Sequence, residues 1–102
     1  MFGVHNHKTG SVEGTGAAIT ISVGFVPTRV ELFNIDGDCF GQWIDPMPAA
    51  SVVKTVTSGA GTTDISYATS NGVTTTADGF TIGADSDLNV SAETIIWVAT
   101  AI

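Results

Sequence analysis

Residues 19–35 read Ile19-Thr20-Ile21-Ser22-Val23-Gly24-Phe25-Val26-Pro27-Thr28-Arg29-Val30-Glu31-Leu32-Phe33-Asn34-Ile35, and this stretch decides the fold class. Ile19, Ile21 and Val23 alternate with Thr20 and Ser22, the period of two expected of a half-buried strand whose successive side chains point to opposite faces. Gly24 closes the segment. Pro27 fixes its own φ and biases Val26 towards extended backbone, so the next strand is expected to begin at once. From Thr28 to Ile35, Val30 and Leu32 share one face while Phe33 and Ile35 join Arg29 and Glu31 on the other. Apolar groups on both faces mark a central strand.

The same reading extends outward along the chain. Asp36-Gly37-Asp38 is a turn signal, because Gly takes positive φ without a steric penalty and Asp caps its own turn. A hairpin into Cys39–Ile44 is expected. Pro46 and Pro48 interrupt any ladder around Met47, and the β-branched run in Ala50–Thr57 reads as a strand. Ser58-Gly59-Ala60-Gly61 is a turn, Thr63–Ala68 a strand with Ile65 and Tyr67 on one face, and Asn71-Gly72 a two-residue hairpin signal. Val73–Thr76 and Phe80–Ile82 are short strands. The last strand runs from Glu93 to Ala101, in an apolar stretch expected to be paired or inserted into a neighbour.

Composition agrees with β-structure. Of the 102 residues only 13% are charged, against about 25% in an average soluble domain, so Thr, Ser, Asn and Gly must cover much of the surface. The expected architecture is a single all-β domain, an antiparallel β-sandwich or jelly roll of about eight short strands over residues 17–102. Residues 1–16 hold both histidines, His5 and His7, and little periodic apolar pattern. They read as an N-terminal arm or a weak edge segment, anchored by Phe2, Val4 and Val12.

A formal net charge of -7 opposes direct binding to nucleic acid or anionic membrane surfaces. The longest apolar stretch, Ile95–Ala99, is far shorter than the roughly 20 residues of a membrane-spanning helix. Cys39, the single cysteine, has no partner for an internal disulfide, and the chain start lacks an export signal, so synthesis in the cytoplasm is expected.

Sites for chemistry are sparse. His5 and His7 would share one side of an extended chain, but no further His or Cys completes a metal site, so solvated histidines are expected. Asn34, Asp36 and Asp38 superficially suggest a calcium loop without its downstream glutamate, and a turn explains them. Asp85 and Asp87, beside Ser86 and Asn89, offer oxygen ligands for a weak calcium site or, as the expected reading, form a solvated acidic turn. Cys39 has no activating base in its part of the chain. No nucleophile, base and orienting residue assemble into a catalytic set, so no enzyme, cofactor or resident metal is expected. Trp97 is expected in the core, while Trp43 either fills the core or anchors an interface.

Three segments carry a resemblance: Gly24-Phe25-Val26-Pro27-Thr28-Arg29-Val30-Glu31-Leu32-Phe33-Asn34, Gly79-Phe80-Thr81-Ile82-Gly83-Ala84-Asp85 with Leu88-Asn89-Val90-Ser91, and Ile95-Ile96-Trp97-Val98-Ala99. Together they resemble small β-sandwich structural proteins of tailed bacteriophages, the head decoration or cement type. The resemblance implies a virion protein on the capsid surface, made in the host cytoplasm, that binds and stabilises the shell of major capsid protein as a homo-oligomer, a trimer by expectation. Its partner-binding residues would be Phe2, Val4, Val12 and Trp43. Similar domains in tails and fibres leave a second reading, a carbohydrate- or receptor-binding domain that stacks an exposed Trp43 or Tyr67 on a sugar.

Overall fold

The computed structural model describes residues 6–101. Within them the chain forms β1 (Asn6–Glu13), β2 (Ile19–Ser22), β3 (Arg29–Asn34), β4 (Cys39–Ile44), β5 (Ser51–Thr57), β6 (Thr63–Thr75), β7 (Gly79–Ile82) and β8 (Thr94–Ala101). All pairings are antiparallel and join one sheet in the order β1-β8-β3-β4-β5-β6-β7-β2. The sheet curls into a half-barrel. Phe80 of β7 and Trp97 of β8, with four strands between them in that order, meet edge to face at 5.6 Å across the interior. Hydrogen bonding is thus continuous through one eight-stranded sheet.

Alternation sorts the side chains as the strand period requires. Val30, Leu32 and Asn34 of β3, Cys39 and Trp43 of β4, Val52 of β5, Phe80 and Ile82 of β7, and Ile95, Trp97 and Ala99 of β8 point inward and are buried. The central position expected for β3 is observed, between β8 and β4. The expected hairpin across Asp36-Gly37-Asp38 forms as well. Asn34 Oδ1 accepts the backbone N–H of Asp36 and Gly37, and Thr94 N–H donates to Asp36 Oδ2.

Two segments take their form from partners distant in the chain. Residues 6–13, within the span read as an arm or weak edge segment, form a full edge strand paired with β8 from Asn6↔Ala101 to Glu13↔Thr94. The Trp97 indole lies against Gly10, where an added Cβ would sit 2.6 Å from it, and this close approach explains a glycine in mid-strand. The hairpin expected at Asn71-Gly72 does not form. Thr69–Gly72 is instead a four-residue bulge in β6, between the pairs Val52↔Ala68 and Ser51↔Val73. Asn71 adopts φ 60°, Gly72 N–H donates to Ala50 O and Gly83 N–H donates to Gly72 O. These bonds tie the two residues to β5 on one side and the end of β7 on the other, so they shift the strand between partners instead of reversing it.

Residues 83–93 close one end of the half-barrel. Leu88 inserts its side chain over Gly41, which has space for no Cβ: one would lie 2.7 Å from Leu88 Cδ1 and 3.0 Å from Val52 Cγ2. Two buried amides hold the loop. Asn34 Nδ2 donates to Asp87 O and to Glu93 Oε1, and Asn89 Nδ2 donates to Ala17 O and Gly83 O while its Oδ1 accepts the N–H of Thr15. Each amide therefore satisfies backbone groups that the sheet ladder does not reach.

Candidate interaction surface

Of the partner-binding residues expected from sequence, the two that are described, Val12 and Trp43, both point into the core. Phe2 and Val4 lie outside the described residues. Val12 faces inward opposite Ile95, half-buried against the core. Trp43 is buried, with its indole N–H donating to Pro48 O at 3.1 Å, which settles the two readings left open for it in favour of the core. Of the histidines, His5 is outside the described residues and His7 lies on β1, hydrogen-bonded to Thr100 Oγ1 at 3.1 Å.

The acidic loop also differs from a solvated turn. Asp85 is buried, and its Oδ1 accepts the N–H of Asp87 and Leu88. Lys54 Nζ sits 2.9 Å from Asp85 Oδ2 and 2.7 Å from Asp87 Oδ2. Burial alone would lower the lysine pKa, but the hydrogen bonds that Lys54 donates to Asp87 and Asp85, with the attraction of both carboxylates, outweigh it and hold the pKa above the ordinary value. The position a calcium ion would need is taken by an ammonium group. Among the described residues no three His, Cys, Asp or Glu side chains converge as a metal-holding group. Cys39 lies inside, its thiol pushed up to about 11 by burial, with Asp87 and Asp85 adding to the shift. A thiol so far from ionisation is a poor nucleophile.

What the sheet does present is its outer face. Directly paired residues share a face, so the registers of β8, β3, β4, β5 and β6 line up one outward row: Ile96, Phe33, Phe40, Thr55, Ile65. Phe33 and Phe40 stack with ring centroids 4.8 Å apart. The next row carries Val98, Glu31, Gln42, Val53 and Tyr67. The only charges facing outward on these five strands are Arg29 and Glu31, which pair with each other at 3.3 Å. A protein of net charge -7 therefore has a neutral, largely apolar sheet face, its carboxylates lying mainly in the turns and loops around it. This face was visible in the sequence, since Phe33 has opposite parity to Leu32, but apolar residues on both sides of β3 read there as a sign of centrality alone.

Comparison with known proteins finds no matching family model, no matching curated protein and no matching solved structure.

Proposed function

We propose that this chain is a structural protein of a phage virion, a capsid decoration or cement protein that binds the shell of major capsid protein and stabilises it. The observation that supports this reading is the outward apolar sheet face around the Phe33–Phe40 stack. Contiguous apolar surface on a folded domain marks a site for protein contact, and the Arg29–Glu31 pair is the one ion pair on these rows that burial would desolvate. The mechanism is added interface: each copy buries its face on neighbouring shell subunits and raises the free energy needed to separate them, with no reaction catalysed. In architecture we group the curled sheet with the sandwiches and jelly rolls of such proteins, because the Phe80–Trp97 contact brings its two halves face to face.

β1 changes the role of the N-terminal segment in this proposal. Part of it is built into the sheet, so deleting residues 1–12 would strip Trp97 and Ile95 of their cover rather than detach a free arm. The test is to mix the protein with capsids that lack it and follow co-sedimentation and the temperature at which shells break. Saturable, stoichiometric binding with a raised disruption temperature supports the proposal, and absence of binding overturns it.

One observation favours a second reading, a carbohydrate- or receptor-binding domain of a tail or fibre: Tyr67 is half exposed on the outer face, available to stack on a sugar ring. Trp43, being buried, does not contribute. Tyr67-dependent hits on a glycan array by a chain that fails to bind capsids would select this reading.

A further inference from the structure

The hairpin of β5 and β6 carries a feature that the capsid reading does not use. Residues 63–68 of β6 pair with β5 on one side, while β7 takes up only Val73, Thr74 and Thr75 on the other. Among the described residues the outer edge of Thr63–Ser70 has no strand beside it. The turn fixes which groups face that edge. Ser58 N–H donates to Thr62 O at 2.8 Å, Gly61 N–H donates to Ser58 O, and Gly61 takes φ 85°, the three-residue hairpin loop with its glycine in the left-handed region. Ser58 and Thr62 are therefore a hydrogen-bonded pair. In an antiparallel ladder such pairs alternate, so Asp64, Ser66 and Ala68 bond to β5, and Thr63, Ile65 and Tyr67 direct their N–H and C=O groups outward.

Natural edge strands are guarded against pairing by lysine, proline, bulges or brevity. The stretch Thr63-Asp64-Ile65-Ser66-Tyr67-Ala68-Thr69-Ser70 has no lysine, arginine, proline or glycine, and its one charge is Asp64. Ile65 and Tyr67 are 75% and 52% exposed, so this edge offers both unpaired backbone and apolar side chains.

We propose that this edge is a dimerisation site, in which β6 pairs antiparallel with β6 of a second copy of this chain about a two-fold axis near Ser66. The register fits a copy of itself. Ile65 falls opposite Tyr67 of the other copy and Tyr67 opposite its Ile65, two aromatic–β-branched pairs of the kind that stabilise neighbouring strands. Asp64 falls opposite Ala68, so the like charges are kept apart in a protein whose net charge of -7 otherwise makes two copies repel. Because the outward groups belong to Thr63, Ile65 and Tyr67, the new ladder forms without breaking any bond to β5. The axis is perpendicular to the sheet, so both apolar outer faces end on the same side of a joined sheet.

Sedimentation equilibrium of the full chain over a concentration series tests this, together with amide exchange at Ile65 and Tyr67. The expected result is a monomer–dimer equilibrium, with protection of those two amides rising as dimer forms. The double substitution Ile65→Lys/Tyr67→Lys, at exposed positions, should weaken dimerisation at least tenfold while leaving the far-ultraviolet dichroism of the monomer unchanged. Tyr67→Pro, which removes an outward N–H, should do the same. A chain that stays monomeric up to about 1 mM, where even a Kd of that size would show, overturns the proposal. So does a trimer, a dimer that survives both variants, or protection of these amides only when capsids are added, which would assign the edge to the shell protein. Capsid binding is measured separately, so either proposal can fail alone.

Discussion

Leu88→Ala removes two methyls and a methine from a side chain that is 1% exposed and lodged above Gly41. Truncations of this kind cost about 2–5 kcal/mol through lost transfer energy and the cavity left behind. Gly41→Ala is the opposite perturbation. Its Cβ would come within 2.7 Å of Leu88 Cδ1, 3.2 Å of Leu88 Cδ2 and 3.0 Å of Val52 Cγ2, an overpacking worth about 1–3 kcal/mol. The two offending Leu88 carbons are the ones that Leu88→Ala deletes. In the double variant the new methyl enters the vacated space, relieving its clash with Leu88 and filling part of the cavity. The two losses should therefore fall short of additivity by about 1–3 kcal/mol, within the range found for residues in contact. Urea unfolding of the wild type, both single variants and the double variant gives the four free energies, provided the slopes agree. Additivity within about 0.5 kcal/mol would mean that Leu88 does not close the half-barrel over Gly41.

Lys54→Met leaves Asp85 buried without its cation and should cost about 3 kcal/mol in urea unfolding, whereas Asp87→Asn, at a more exposed partner, should cost under about 1 kcal/mol. Cys39 gives a pH dependence of definite sign. Its folded pKa of about 11 lies above the ordinary value of 9.0, so its contribution is fully present below pH 9 and is lost as pH rises through 11. That loss amounts to roughly 3 kcal/mol at about 1.4 kcal/mol per pH unit. Unfolding curves between pH 8 and 11 should be steeper in pH for the wild type than for Cys39→Ala, and a thiol reagent at pH 8 should label the unfolded chain much faster than the folded one. On the outer face, Phe40→Gln should lower capsid affinity at least tenfold while costing the fold about 1 kcal/mol for the lost stack, as read by co-sedimentation and thermal melting.

The strands were legible because their evidence is local. Ile19–Val23 and Thr28–Ile35 alternate within a few residues, and the structure places β2 and β3 within those spans. Long-range partners left no such trace. Asp85 and Asp87 read as a solvated turn because the cation that meets them, Lys54, is 31 and 33 residues away in the chain. Asn71-Gly72 has the composition of a tight reversal, but the backbone of Ala50 and the closeness of Gly83 set its path. Trp43 is the clearest case. A large aromatic on a strand suits either a core or an interface, and only the curl of the sheet, with Pro48 O placed to accept its N–H, assigns it inward. The same curl turns Phe33 and Phe40 outward.

The pairing of β1 with β8 joins the earliest described strand to the latest, Asn6 to Ala101. During translation β1 leaves the ribosome ahead of β8, and it must wait through the synthesis of the other described strands before this partner exists. Trp97 arrives equally late, so the aromatic contact across the interior cannot form until that moment. Such non-local closure slows folding. In the interval, the β8 edge of one nascent molecule is open to the β1 of another.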